Sequence, residues 1–374
     1  MAGIYVHIPF CRKKCIYCDF YSIGTRGLED QYVNALIDEC AMRYSELGGN
    51  DVATLYIGGG TPSLLSPSHI VRLTAGIGKT VDLSKIIEFT IEVNPDDVTS
   101  AYILQLREIG VNRVSMGIQS FIDDELKIIN RRHNALQAEE AVAAIRSAGI
   151  ENISIDLIYG LPGQTLNSWQ YSLDKEKAKK VPHISCYNLS YEEGTKLYRM
   201  RESGTITECS DETCIAMYHA MCRRLRETGY QHYEVSNFAL PGMYSRHNSA
   251  YWTGEVYLGL GASAHSYDGV TRSYNIPNVR KYIELIASGI LACEREATTI
   301  EERYDEYVMI HLRTSRGVDS SGISQIFGSR FASHFKVEAQ RHIAKGLLTE
   351  AEGIYRLTED GVMLSDMIIR DLMW

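Results

Sequence analysis

No apolar run in the chain approaches the ~18 residues that a bilayer crossing needs. There is no low-complexity tract and no long linker before residue 270. Positive charge is also short: 38 Lys and Arg stand against 47 Asp and Glu, a net charge of −9. That sign disfavours nucleic acid and anionic lipid as partners, and an anionic substrate must be held by local Arg or Lys residues. The opening Met-Ala-Gly-Ile-Tyr-Val-His-Ile alternates like a strand. It lacks the basic start and apolar core of a signal peptide, so the protein is expected in the cytoplasm. Cysteine is sparse and odd in number, nine in 374 residues, with three of them inside Cys11–Cys18. A reducing compartment disfavours disulfides, so that cluster reads as metal or redox chemistry. Cys209, Cys214 and Cys222 with His219 could make a zinc site, although free cysteine is usually a small buried hydrophobe.

With 45% hydrophobic residues, the chain can bury one large core and a smaller appended domain. β-rich runs at Ile4–Ile8, Thr54–Ile57, Phe89–Val93, Arg113–Gly117, Ile153–Ile158 and Ile184–Leu189 alternate with helical segments. One helix carries Tyr32, Val33, Leu36, Ile37, Cys40 and Tyr44 on one face. Others are expected over 67–80, 99–109, 135–148, 166–180 and 211–228. This is the rhythm of a parallel sheet, and it implies an α/β fold built on an incomplete TIM-type (β/α)6 barrel. Chemistry in such barrels sits at the carboxyl ends of the strands. Cys11–Cys18, Gly58-Gly59-Gly60-Thr61-Pro62, Glu92-Val93-Asn94-Pro95, Gln119-Ser120-Phe121 and Asp156 ahead of Tyr159-Gly160-Leu161-Pro162-Gly163 all fall there.

Past residue 230 the chain is aromatic and glycine-punctuated, with short strand character over Tyr230–Phe238, His247–Trp252 and Gly259–Tyr267. After Ile276-Pro277 it turns helical, with helices over 299–314 and 329–345, a hairpin at Leu347–Leu357 around Glu352-Gly353, and a last helix from Thr358. The reading is a barrel region with added strands over 1–275 and a small helical, winged-helix-like domain over 276–374. From Glu301 onward 12 acidic residues face 9 basic ones, which argues against DNA and for a lid or docking role. The basic run Lys175–Lys180 reads as a solvated helix face.

Cys-x3-Cys-x2-Cys supplies three thiolates on one loop. His7 or Asp19 could complete a zinc site, and Cys15 with Cys18 alone could be a redox pair. An iron–sulfur cube with one open iron needs three thiolates, as here. Arg12, Lys13 and Lys14 should lower the thiol pKa values and offset cluster charge.

The motif, with an aromatic residue before its last Cys, resembles the radical S-adenosylmethionine (SAM) superfamily. With His-Ile-Pro-Phe-Cys, Gly-Gly-Gly-Thr-Pro, Ile-Glu-Val-Asn-Pro, Ser-Met-Gly-Ile-Gln-Ser-Phe and Ile-Asp-Leu-Ile-Tyr-Gly-Leu-Pro-Gly-Gln-Thr it resembles, more narrowly, one branch. That branch holds oxygen-independent coproporphyrinogen III dehydrogenase and the related haem chaperones, and the likeness covers nearly the whole chain. It implies a 4Fe–4S cluster on Cys11, Cys15 and Cys18, with Tyr5 and Tyr17 flanking cluster and adenine. Gly59, Gly60 and Thr61 would meet the methionine amino group, where glycine permits close approach. Glu92 would bond SAM, Gln119 and Asp156 the ribose, and Arg131 the carboxylate, with Arg132 its competitor. The catalytic residues are left unassigned.

Three features separate the two activities. The dehydrogenase pattern has a further Cys where Phe20 stands. Its N-terminal extension has no counterpart ahead of strand one. Tyr233-Glu-Val-Ser-Asn-Phe-Ala and His247-Asn-Ser-Ala-Tyr-Trp252 are similar to chaperone signatures associated with haem. The expectation is a chaperone that binds haem as cargo, His247 its axial ligand and His265 the rival, and passes it to haem-acceptor proteins. Any membrane association would be weak and only through those acceptors. Ala262 stands where the pattern has proline, which weakens inference about the loop that carries His265. The alternative is an enzyme drawing electrons from a flavodoxin or ferredoxin, in which a 5′-deoxyadenosyl radical abstracts hydrogen from the propionates of coproporphyrinogen III.

Overall fold

The computed structural model describes residues 1–24 and 27–374, apart from the side chains of 176–179. Six strands follow the expected order, each parallel to the next: β1 (Ala2–Ile8), β2 (Val52–Gly59), β3 (Glu88–Val93), β4 (Arg113–Gln119), β5 (Asn152–Tyr159) and β6 (His183–Asn188). The sheet continues past both ends of this set. β7 (Gln231–Glu234) and β8 (Asn237–Ala239) join β6 in antiparallel fashion. On the other side β9 (Val256–Leu260) lies parallel to β1, and β10 (His265–Tyr267), β11 (Thr271–Asn275) and β12 (Cys293–Ala297) follow antiparallel. The 12-stranded order β12-β11-β10-β9-β1-β2-β3-β4-β5-β6-β8-β7 does not close on itself, so the partial barrel with added strands is what forms.

The helices ahead of the last sheet strands are α1 (Glu29–Arg43), α2 (Pro67–Ile77), α3 (Ser100–Ile109), α4 (Asp123–Ile128), α5 (Ala135–Ser147), α6 (Leu166–Lys179), α7 (Lys196–Glu202), α8 (Asp211–Glu227), α9 (Arg246–Trp252) and α10 (Val279–Ala287). Alternation along β1 sorts its side chains: Ile4, Val6 and Ile8 are fully buried in the core under the helices, while Gly3, Tyr5 and His7 face the lumen. The segment 247–252, expected as a strand, is helical because Ser245 caps it, its side chain accepting from Asn248 N. Of the basic run, Lys175 pairs with Glu139 at 2.9 Å, and the side chains of 176–179 lie outside the described residues.

Helix α1 buries Tyr32, Val33, Leu36 and Cys40 as its pattern demands, and it also buries Glu39 and Arg43. Arg43 donates to Glu39 at 3.0 Å, to the Ser266 and Ser273 hydroxyls at 3.1 and 2.8 Å, and to Asn275 Oδ1 at 3.3 Å. Glu39 in turn accepts from Gly261 N, Asn275 Nδ2 and Tyr282 OH at 2.8, 2.7 and 2.6 Å. Each buried charge therefore has partners on every side, and the pair fastens β9–β11 and α10 to α1.

A second core gathers Tyr304, Val308, Phe335 and Ile368. It is built from α11 (Ile300–Leu312), β13 (Val318–Asp319), α12 (Ser320–Phe327), α13 (Ser329–Ala344), the hairpin β14 (Leu348–Ala351) and β15 (Ile354–Leu357), α14 (Glu359–Met363) and α15 (Ser365–Leu372). Val279, Tyr282, Ile286 and Ala292 belong to the large core and β12 to the large sheet, so we draw the domain division after Ala297, not at 275/276. The small domain attaches to β7 and the turn that follows it, through Ser315 N to Tyr233 O at 3.0 Å and Val235 N to Arg313 O at 2.9 Å. Among the described residues no helix is long and apolar enough to cross a membrane.

Removing one member of the buried pair strands the other. Arg43→Ala should cost about 3–5 kcal/mol in urea unfolding. A loss under about 1 kcal/mol would show that the pair is not what holds β9–β11.

Candidate functional site

The parallel strands deliver their carboxyl ends to one rim, and the cysteine loop lies across it. Ile23 N donates to Pro9 O at 2.7 Å and Cys11 N to Ile23 O at 3.0 Å, which closes the loop at its base. Cys11, Cys15 and Cys18 are half-buried free thiols. Gly60 packs against the cysteine loop: a Cβ there would meet Cys11 Sγ at 3.0 Å and Phe10 O at 2.9 Å. Gly59, at φ 113°, leaves no room beside the His7 ring. Thr61 Oγ1 stands 3.4 Å from Cys11 Sγ.

Arg131 reaches the same place from the far side. It donates to Cys15 Sγ at 3.5 Å, to Asn94 Oδ1 at 2.9 Å and to Gly117 O, and its buried Nε has no partner. Arg132 points elsewhere, held by Asp96 and Asp97 at 3.0 Å each, so of the two arginines only Arg131 faces the cysteine loop. Tyr17 lies against Cys15, Cys18 and Arg131, and its buried phenol is pushed well above the ordinary tyrosine range. Burial likewise pushes the Cys18 thiol up to about 11, with Lys14 pulling the other way. The basic residues between the cysteines were expected to lower these thiols; at Cys18 the lost hydration outweighs them.

His7 is no fourth ligand in this arrangement. Its Nε2 donates to Tyr21 O at 2.9 Å, which leaves Nδ1 to accept from Tyr5 OH at 3.0 Å. Among the described residues no three His, Cys, Asp or Glu side chains converge as a single-ion site requires, and that holds for Cys209, Cys214, Cys222 and His219 too. A cube takes its thiolates on three different irons, so three spread thiols with an unpartnered arginine beside them fit it. The residues suit the cluster better than a lone zinc.

Glu92 accepts from Tyr56 OH at 2.8 Å and from Gly59 N at 3.0 Å. Burial pushes it up to about 7, and Asp156, bonded to Ser185, up to about 6. Gln119 ends β4 after a bulge at φ 70°, a strained conformation for a residue with a side chain, and its amide lies against Gly117. Tyr56 and Arg113 were not singled out from sequence. Tyr56 sits two residues before the glycine turn on the inward face of β2, a signal that alternation could have supplied. Arg113 is buried at the start of β4, with Nε and Nη1 unpartnered and its charge felt by Glu92, Asp156 and His247.

The expected haem residue His247 lies at the opposite end. With 2% of its surface exposed, it plugs the floor beneath Gly3, stacked 5.0 Å from Tyr56. Its Nδ1 bonds Thr54 Oγ1 at 2.8 Å and its Nε2 bonds Tyr251 OH at 2.9 Å. Burial, with Arg113 adding, pushes it down to about 3. Glu88 accepts from Arg246 N and His247 N at 2.9 Å each and fixes the helix to β3. Both ring nitrogens are occupied, so the structure holds His247 as a floor residue and not as an open ligand. Tyr5 stands between the two levels, 6.4 Å from His247 and bonded to His7.

The model of the radical SAM superfamily matches residues 5–175, and that of the HemN C-terminal domain matches 299–364. The heme chaperone HemW of Bacillus subtilis (strain 168) is 36% identical over 98% of this chain and 98% of its own. The heme chaperone HemW of Lactococcus lactis subsp. lactis (strain IL1403) is 34% identical over 99% and 96%. Among solved structures, coproporphyrinogen III oxidase (HemN) from Escherichia coli, described as a radical SAM enzyme, superposes with a TM-score of 0.86 at 27% identity, covering 100% of this chain and 90% of that one.

Glu92 gives the rim a pH signature. The folded protein holds its proton more tightly than the unfolded chain, whose value is near 4.5. Its stabilising effect is complete below that value and disappears as pH rises through about 7. Glu92→Gln, in cofactor-free protein, should raise the melting temperature by a few degrees above pH 7 and by nothing near pH 4.5. An equal gain at both pH values would show that Glu92 is not held protonated.

Proposed function

Because the chain belongs to the heme chaperone HemW family, with radical SAM and HemN C-terminal domains, we propose that it binds haem as cargo and passes it to haem-acceptor proteins. The full-length match to proteins bearing that name, through barrel and C-terminal domain alike, carries this reading.

Within it, Cys11, Cys15 and Cys18 would hold a 4Fe–4S cluster, and the residues around them would hold SAM beside it. Such a cluster, when reduced, supplies an electron to the bound sulfonium. The chain's own residues bind and orient. Gly59 and Gly60 offer backbone without side-chain obstruction, and Thr61 steadies Cys11. Arg131, unpartnered at Nε, takes a carboxylate, for which a planar guanidinium is suited. Glu92 and Asp156 turn polar groups toward a ligand's amino and hydroxyl groups, Gln119 lies beside them, and Tyr5 and Tyr17 line the sides. Electrons would come from a flavodoxin or ferredoxin, in the cytoplasm. Phe20, 72% exposed beside the cysteines, presents an apolar side chain for an acceptor or donor protein to cover.

The 0.86 superposition on HemN favours a second reading, oxidative decarboxylation of coproporphyrinogen III. Cluster-reconstituted protein, assayed anaerobically with coproporphyrinogen III, SAM and a reductant, should form no protoporphyrinogen IX while binding haem saturably at or below micromolar levels. Protoporphyrinogen at a useful rate would assign the dehydrogenase instead. Cys15→Ser should fail to assemble the oxygen-sensitive cluster, read as lost iron, sulfide and visible absorbance. An intact cluster in that variant would remove the iron–sulfur assignment.

A further inference from the structure

Haem iron needs an axial donor, and the imidazole of the His247 motif is closed on both nitrogens at the floor. The added strands present a different one. Ser266 and Ser273 turn toward Arg43, so by strand alternation His265 and Tyr267 of β10, with Arg272 and Tyr274 of β11, face the other way. His265 is exposed there, and among the described residues its ring makes only an aromatic contact, 5.8 Å from Tyr274.

Aromatic rings continue from it. Tyr267 lies 6.5 Å from Tyr257, which packs edge-on against Tyr251 at 4.7 Å. Arg272, joined to Glu306, keeps a buried Nε without a partner beside this face. His265 also lies within electrostatic reach of His7, so the face adjoins the end of β1 and the cysteine loop. A tyrosine-lined apolar face, an open imidazole and a guanidinium for a propionate together suit one ligand class, an iron porphyrin.

We infer that His265, not His247, is the axial haem ligand, with the macrocycle lying on the tyrosine-lined face of β9–β11. This rests on the haem-chaperone reading. The imidazole lone pair takes an axial position on ferric iron and displaces a water, and no electron moves.

Ferric haem is titrated into the full-length wild type and into the His265→Ala, His265→Tyr and His247→Ala variants, followed by Soret absorbance, electron paramagnetic resonance and thermal melting. His265→Ala should weaken haem at least tenfold and lose the imidazole-ligated signature, and added imidazole should restore that signature. His265→Tyr should bind with a phenolate-ligated spectrum, a readout that a structural role would not produce. His247→Ala should melt earlier yet keep the imidazole signature. Unchanged spectrum and affinity in His265→Ala overturn the inference and leave the chaperone reading standing. So does loss of the signature in His247→Ala with its melting temperature unchanged. A wild type without saturable haem binding removes the chaperone reading and this assignment together.

Discussion

Strand β1 is hydrogen-bonded in parallel along both edges, to β2 on one side and β9 on the other. The rest of the molecule hangs on that double pairing. Through β2 it joins the barrel, through β9 the added face, and its carboxyl end runs straight into the cysteine loop. Pleating then divides the work: Ile4, Val6 and Ile8 fill the core, while Gly3, Tyr5 and His7 line the lumen from floor to rim. A slip of one residue would exchange the two sets, turning isoleucines into the site and His7 into the core. Burial of three fully enclosed aliphatic side chains, at roughly 1.5–3 kcal/mol each, is what forbids the slip.

Polar groups are buried on both sides of the sheet, and their satisfaction differs. Outside the lumen, Glu39 and Arg43 close on each other and on the hydroxyls and amides of Ser266, Ser273, Asn275, Tyr282 and Gly261, which makes a fixed joint. Inside, Glu92 and Asp156 are lifted by burial, while Arg131 and Arg113 keep nitrogens without partners. Leaving a buried donor unmade is costly in a finished structure, so the open Nε of Arg131, at the rim, is a place that a bound ligand would complete. His247 shows the contrary case: both its ring nitrogens already have partners, Thr54 and Tyr251.

Periodicity made the barrel legible. The six parallel strands and the helices between them lie where alternation and three-to-four spacing put them, and the rim motifs follow from strand polarity alone. What stayed hidden depends on contacts distant in sequence. Nothing local says that Glu39 and Arg43 are covered, since their partners come from Gly259 to Tyr282. Nor does His247-Asn-Ser-Ala-Tyr-Trp show that its histidine enters the floor, because Thr54 and Glu88 supply the bonds that hold it there. β12 escaped because Cys293-Glu-Arg-Glu-Ala is charged and exposed, without the alternation that an inward face imposes. At Cys18 three neighbouring cations were visible and the depth of burial was not.

Haem-loaded protein would carry two iron centres, one in the cysteine loop and one on the added strands. Anomalous scattering at the iron edge, from crystals of anaerobically reconstituted, haem-loaded protein, locates both directly. The expected map has one strong feature among Cys11, Cys15 and Cys18 and a second bonded to the His265 ring. An iron feature beside His247 and Tyr251, or none in the cysteine loop, would contradict it.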